Sequence, residues 1–133
     1  MESGYPDLKT RVQSIFIDTI LMVVSIFLAG VILDKINPSQ DEEDGIARAV
    51  IFISIWGIYE PVAMTLGCTL GNYLMKIRVK RFADNKRKIN LLQAYVRFVV
   101  KVLLGWISFL TINSNKERRA IHDFASGSVM LEK

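Results

Sequence analysis

The sequence predicts an all-α integral membrane protein. The fold class comprises about three hydrophobic helices, the third spanning or re-entrant, with a short cytoplasmic β-hairpin and a C-terminal amphipathic helix. Three observations predict it. The 133 residues are 51% hydrophobic and yet carry 17 basic and 13 acidic side chains. The mean hydropathy is +0.31. The charges are segregated into the segments between apolar blocks, the arrangement of a chain whose blocks lie in lipid. Disorder is excluded by the same composition, because disordered chains are poor in apolar residues.

Residues 1–133 read as a single domain. Block one runs from Val12 to Leu33 with Asp18 as its only charge. At 1.5 Å per residue its 22 positions cross a hydrocarbon core of about 30 Å. Asn37-Pro38-Ser39 breaks the chain, and Asp41-Glu42-Glu43-Asp44-Gly45 reads as a polar loop. Block two, residues 47–71, has Glu60 as its only charge from Ala49 onward. Pro61 is a candidate kink, and Gly67 and Gly71 are candidate helix ends. Block three, residues 92–113, carries Arg97 and Lys101, then an uncharged run from Val102 to Asn115. That run is short enough to fit a re-entrant or interfacial helix as well as a full crossing.

Between blocks two and three, residues 75–91 alternate apolar and basic side chains around Ala83-Asp84-Asn85-Lys86. The alternation predicts a β-hairpin, with a membrane-surface helix as the alternative. The tail, 114–133, contains an amphipathic stretch from Lys116 to Ala125 with Gly127 as its C-cap. His122 on this stretch reads as a surface or capping residue.

The loop charges set an orientation. Residues 34–48 hold five acids and two bases, and residues 76–91 hold seven bases and one acid. Short basic loops stay in the cytoplasm, so the hairpin and the amino terminus are expected inside, in a bacterial inner membrane. Basic residues beside spans anchor to anionic lipid, which removes nucleic acid from the expected partners. The side of the carboxyl terminus stays open. Full crossing would put Lys116, Arg118 and Arg119 outside, against the rule that such clusters stay in.

Ionisable groups inside spans cost about 2.5–3.5 kcal/mol each on insertion scales and mark functional candidates. Asp18 lies seven residues beyond Arg11 and Glu60 seven before Gly67, so both sit roughly 10 Å from the same end of their helices. Arg97 and Lys101 enter from that side too. Asp18 and Glu60 are the candidate ion- or proton-binding pair, with Tyr59 a candidate donor to either. Arg11, Ser14, Asp18 and Ser25 share a helix face, and Arg97 and Lys101 could pair with Asp18. Two readings stay open: a cation- or proton-exchanging pocket, and ion pairs that simply join helices.

Other signals are weak. Cys68 is the only cysteine and lies in an apolar run. No metal, cofactor or nucleophilic catalytic arrangement is indicated, and no enzyme activity is expected. Gly67-x-x-x-Gly71 has the small-xxx-small pattern of close helix contacts or dimers, and lacks the Lys-Ser/Thr of a phosphate loop.

Several motifs, in order, resemble the RDD family of prokaryotic membrane proteins. They are Tyr5-Pro6, then Arg11 and Asp18; Tyr59-Glu60; Gly67-Cys68-Thr69-Leu70-Gly71; Ile77-Arg78-Val79; Arg97; Arg118-Arg119-Ala120-Ile121-His122-Asp123; and Ser126-Gly127-Ser128-Val129. The naming Arg and two Asp would be Arg11, Asp18 and Asp123. Asn72 stands where the family usually carries Lys, Ser128 replaces Thr, and the 83–86 turn lacks the Gly often seen. The resemblance implies transport of an unidentified ligand, with cation/proton antiport in some members. It also implies that Asp123 reaches Arg11 and Asp18, which favours a broken block three, with Gly105-Trp106 the candidate break. The function expected is a small transporter or cation/proton exchanger, a homo-oligomer in lipid acting on a monovalent cation or proton. The alternative is an accessory or assembly module that docks a partner protein.

Overall fold

A computed structural model describes residues 4–38 and 42–132, without the side chains of 42–44. It is mostly helical. In chain order come α1 (Leu8–Ile36), α2 (Glu42–Leu66), a short α3 (Leu70–Leu74), β1 (Ile77–Arg81), α4 (Leu91–Leu104), two 3-10 turns (Gly105–Phe109 and Ile112–Ser114), α5 (Ile121–Ser126) and β2 (Ser128–Glu132). Among the described residues three stretches are long and apolar enough to cross a membrane: Leu8–Ile36, Gly45–Leu66 and Leu91–Phe109.

The long helix α1 starts where Asp7 accepts a hydrogen bond from the Thr10 backbone at 2.9 Å, and ends at Asn37, whose N–H reaches the Leu33 carbonyl. Neither α1 nor α2 has an apolar side and a polar side, the pattern of a helix surrounded by lipid. Phe27 is 69% exposed and Leu103 77%, so large apolar side chains face outward on α1 and α4 alike. Four hydroxyls of these helices bond back to the preceding turn: Thr19 to Ile15 O, Ser25 to Leu21 O, Ser54 to Val50 O and Thr65 to Pro61 O.

Several boundaries differ from the sequence reading. The acidic stretch is not all loop: the backbone of Glu42 to Gly45 forms the first turn of α2, while Ser39, Gln40 and Asp41 lie outside the described residues. α2 stops at Leu66 rather than Gly71. Lys88 Nζ takes the Leu66 carbonyl at 2.6 Å, and Thr69 caps a new helix, α3. α4 opens with a reciprocal capping box between Asn90 and Gln93 and closes at Gly105, whose φ of +53° suits glycine best. That is the break anticipated at Gly105-Trp106, and it ends the third helix well before residue 113.

The expected hairpin over 75–91 is corrected. β1 forms, but its partner is β2 at the far end of the chain, antiparallel, with Val79 opposite Met130 and Arg81 opposite Ser128. The 82–88 arm makes only an isolated bridge, Lys80 to Lys88. The capping box at Asn90 commits Leu91 to α4, so the local second strand has no length left. The inner face of β1, Ile77 and Val79, is fully enclosed with Met64, Ile89, Ala94 and Met130. The tail helix is likewise shorter than 116–125. Asn115 ties the turn instead, donating to the Thr111 and Arg119 carbonyls and accepting from Arg119 N, and Arg118 takes a φ of +47°. Gly127 caps α5 at φ +63°, as anticipated.

Because Ile77 is wholly buried in this small core, Ile77→Ala should lower unfolding stability by roughly 2–5 kcal/mol, against about 0.5 kcal/mol or less for the exposed Lys86→Ala. Denaturant unfolding in mild detergent reads the difference.

Candidate functional site

The deepest charges form a cluster drawn from α1, α4 and α5. Arg11 Nη1 meets Asp123 Oδ2 at 2.6 Å, and Arg97 Nη1 pairs with Asp123 Oδ1; none of the three side chains is more than 2% exposed. Asp123 also accepts from the Ala120 N–H at 2.9 Å and so caps its own helix. Arg11 Nη2 donates to the Arg118 carbonyl, and Arg97 Nη1 lies 3.4 Å from Ser128 Oγ. Arg119 stacks between the Phe82 and Phe124 rings and donates to the Ser128 and Asp123 carbonyls. The tail therefore returns to the head of α1, as the family resemblance implied.

His122 corrects the sequence reading: it is 1% exposed, neither a surface group nor a cap. Its ring is hydrogen-bonded through Nδ1 to Ser108 Oγ, and Ser108 Oγ in turn accepts the His122 backbone N–H at 3.2 Å. The arrangement suits a hydroxyl proton pointing at Nδ1 and a ring proton on Nε2, which lies 3.6 Å from Asp123 Oδ1. Burial, and then the positive charges of Arg97, Lys101 and Arg11, hold the imidazole well below its ordinary titration range. Ser108 was not foreseen; nothing in its sequence setting marks it. Ser108, His122 and Asp123 touch in series as hydroxyl, imidazole and carboxylate, all three are buried, and Asp123 is engaged by two guanidiniums.

Asp18 has only neutral partners, Tyr59 among them as expected. It does not pair with Arg97 or Lys101. Its Oδ2 accepts from Thr69 Oγ1 at 2.6 Å, and its Oδ1 from the Gly71 N–H at 2.8 Å and the Tyr59 hydroxyl at 3.2 Å. Tyr59 also accepts from the Leu70 N–H, and Thr69 Oγ1 accepts from the Asn72 N–H. The unpaired N–H groups of the first turn of α3 are thus all satisfied, three of them by side chains. The arrangement requires Gly71. A Cβ there would lie 2.1 Å from the Ser14 carbonyl oxygen and 2.8 Å from Asp18 Oδ2. The small residue of the Gly67-x-x-x-Gly71 pair therefore serves a contact within the chain, against α1. Asn72, where the family usually has Lys, accepts from Ser14 Oγ at 2.6 Å.

Glu60 takes the partner that Asp18 lacks: Lys101 Nζ pairs with Glu60 Oε1 across α2 and α4, both side chains being under 20% exposed. Asp18, Glu60 and Lys101 together form the polar end of a cavity of about 460 Å³ between α1, α2 and α4. Its walls are Met22, Val23 and Ile26 on one side and Trp56 and Phe98 on the other, the two rings meeting edge to face at 5.5 Å. Among the described residues no group of three His, Cys, Asp or Glu side chains could hold a metal ion.

Removing the shared carboxylate leaves two guanidiniums buried without a counter-charge. Asp123→Asn should therefore cost about 3–5 kcal/mol, read as a loss of folded protein in detergent melts. The lowered His122 pKa has a definite sign. Below the ordinary value of 6.5 the unfolded chain binds a proton that the folded chain does not. Its contribution is therefore complete above that pH and is lost as pH falls, by up to about 1.4 kcal/mol per unit. Against the wild type, His122→Asn should show a flatter decline of melting temperature in acid.

The sequence model of the RDD family matches residues 5–127, nearly the whole chain. No curated protein and no solved structure matches it. The match spans the head of α1, the Gly67–Gly71 turn, Arg97 and the returning tail, the segments that build the cluster just described, and together with three apolar helices it fits a membrane protein. The chain belongs to the RDD family.

Proposed function

We infer that this protein is a small transporter of the bacterial inner membrane that exchanges a monovalent cation against protons. One observation carries the reading: two carboxylates and an ammonium sit together in the lining of a cavity between three helices long enough to cross a membrane. Charges at such depth are costly to place in lipid, and movement of protons or ions through them is the commonest reason to keep them. In this scheme Asp18, held by three neutral donors, is a fixed negative charge. Glu60 is the exchanging group. Protonation of Glu60 releases Lys101, and deprotonation restores the pair, so the charge offered to a cation changes with the proton. Three helices enclose little volume, so a second copy would complete the pathway. The amino terminus and the basic 76–91 segment belong on the cytoplasmic side.

A second reading is an accessory module that docks a partner protein. It is favoured by the fact that Arg11, Asp18, Glu60, Arg97, Lys101 and Asp123 all have partners inside the chain. Flux in proteoliposomes separates the two. Purified protein should couple proton movement to pulses of a monovalent cation, alkali or organic, and Glu60→Gln should lower the rate at least about tenfold while eluting as the wild type does. A folded, flux-silent protein across several ions and pH values would overturn the exchange reading, and a stoichiometric co-purifying partner would select the other.

A further inference from the structure

The cation can be narrowed by the cavity that would take it. The space is about 460 Å³. A single water needs on the order of 10–15 Å³, and sites for organic ligands span roughly 300–1,000 Å³. The lining is divided in kind: Trp56, Phe98, Met22 and Val23 along the walls, with Asp18 and Glu60 at one end. The formal charges on the lining are Asp18, Glu60 and Lys101, one net negative.

A bare alkali ion is poorly served here. Hard cations replace their water with about six oxygen ligands. Of the four carboxylate oxygens at the polar end three are engaged, both of Asp18 by Thr69, Gly71 and Tyr59, and Glu60 Oε1 by Lys101, so the carboxylates leave far fewer than six ligands free. An organic cation needs no such shell. It needs an opposite charge, apolar contact and an aromatic face, and the ring quadrupoles of Trp56 and Phe98 supply the last.

We propose that this cavity binds an amphipathic organic cation of single charge, with its apolar part between α1 and the Trp56–Phe98 wall and its charge toward Asp18. The assignment rests on the transport reading for its purpose, but binding is measured separately from flux. A lipid acyl chain is the competing occupant; it would fill the apolar walls and leave the Asp18 end uncompensated.

The chain has two tryptophans, Trp56 in the cavity wall and Trp106 outside it. A Trp106→Phe protein in phosphatidylcholine nanodiscs therefore reports from the cavity alone. Tetraphenylphosphonium and tetraphenylborate share one shape and differ in sign. The phosphonium should quench Trp56 saturably, and the borate should not. Asp18→Asn should weaken phosphonium binding at least about tenfold. Because Asp18 also holds α3, that variant may be replaced as the probe by Val23→Phe. Val23 is 60% exposed, so the larger ring narrows the cavity with little loss of packing and should weaken binding similarly. Equal, unsaturable quenching by both ions would overturn the proposal, and so would unchanged phosphonium binding in Val23→Phe. Alkali-coupled flux without saturable phosphonium binding would sink this assignment and leave the exchange reading standing. Saturable binding without flux would do the reverse.

Discussion

Two guanidiniums, Arg11 from α1 and Arg97 from α4, meet on one carboxylate, Asp123, where water does not reach. Each element brought to that point is marginal alone. α5 has six residues, β2 has five, and the sheet has two strands. Buried charges of this kind add little net stability over apolar packing, yet a mispairing leaves a buried charge uncompensated, so they penalise alternatives heavily. The cluster therefore acts chiefly on which fold forms. It holds α5 against α4 and delivers Ser128 to β1, and the enclosed core of Ile77, Val79 and Met130 follows from that placement.

A second, separate anchor fixes the end of α2 against α1. Asp18 spends its charge on the first turn of α3 rather than on a cation of the chain. Gly71 then lies so close to the Ser14 carbonyl that no side chain fits between them. The two anchors leave Glu60 and Lys101 as the ion pair at the cavity with some exposure. A fixed charge thus stands beside a partly exposed ion pair, the contrast on which the proposed exchange rests.

The three apolar blocks and the charges within them were legible because each depends on local composition; the break at Gly105 was anticipated only through the family resemblance, which brings Asp123 back to Arg11. The layer of Asp18, Glu60, Arg97 and Lys101 was legible from residue spacing. Its pairing was not. Spacing places Asp18 and Lys101 at like depth, but only the turn at 67–71 decides that neutral donors reach Asp18 first. β1 was legible by alternation, whereas its partner, some fifty residues away, depends on the returning tail. A nearby run at 87–91 alternates equally well and is claimed by the Asn90 cap. Ser108 and the burial of His122 follow from tertiary closure alone.

The Arg11–Asp123 contact joins residues 112 positions apart. Chains emerge during synthesis at about 5–20 residues per second, so Arg11 is made roughly 6–22 s before the carboxylate that neutralises it. For that interval α1 has reached the membrane with an uncompensated positive charge at its head. An arginine so placed keeps its guanidinium among the headgroups while its stem lies along apolar surface. An Arg11 so held would reach its buried place only when Asp123 arrives, which makes the seating of α1 depend on a segment made long after it.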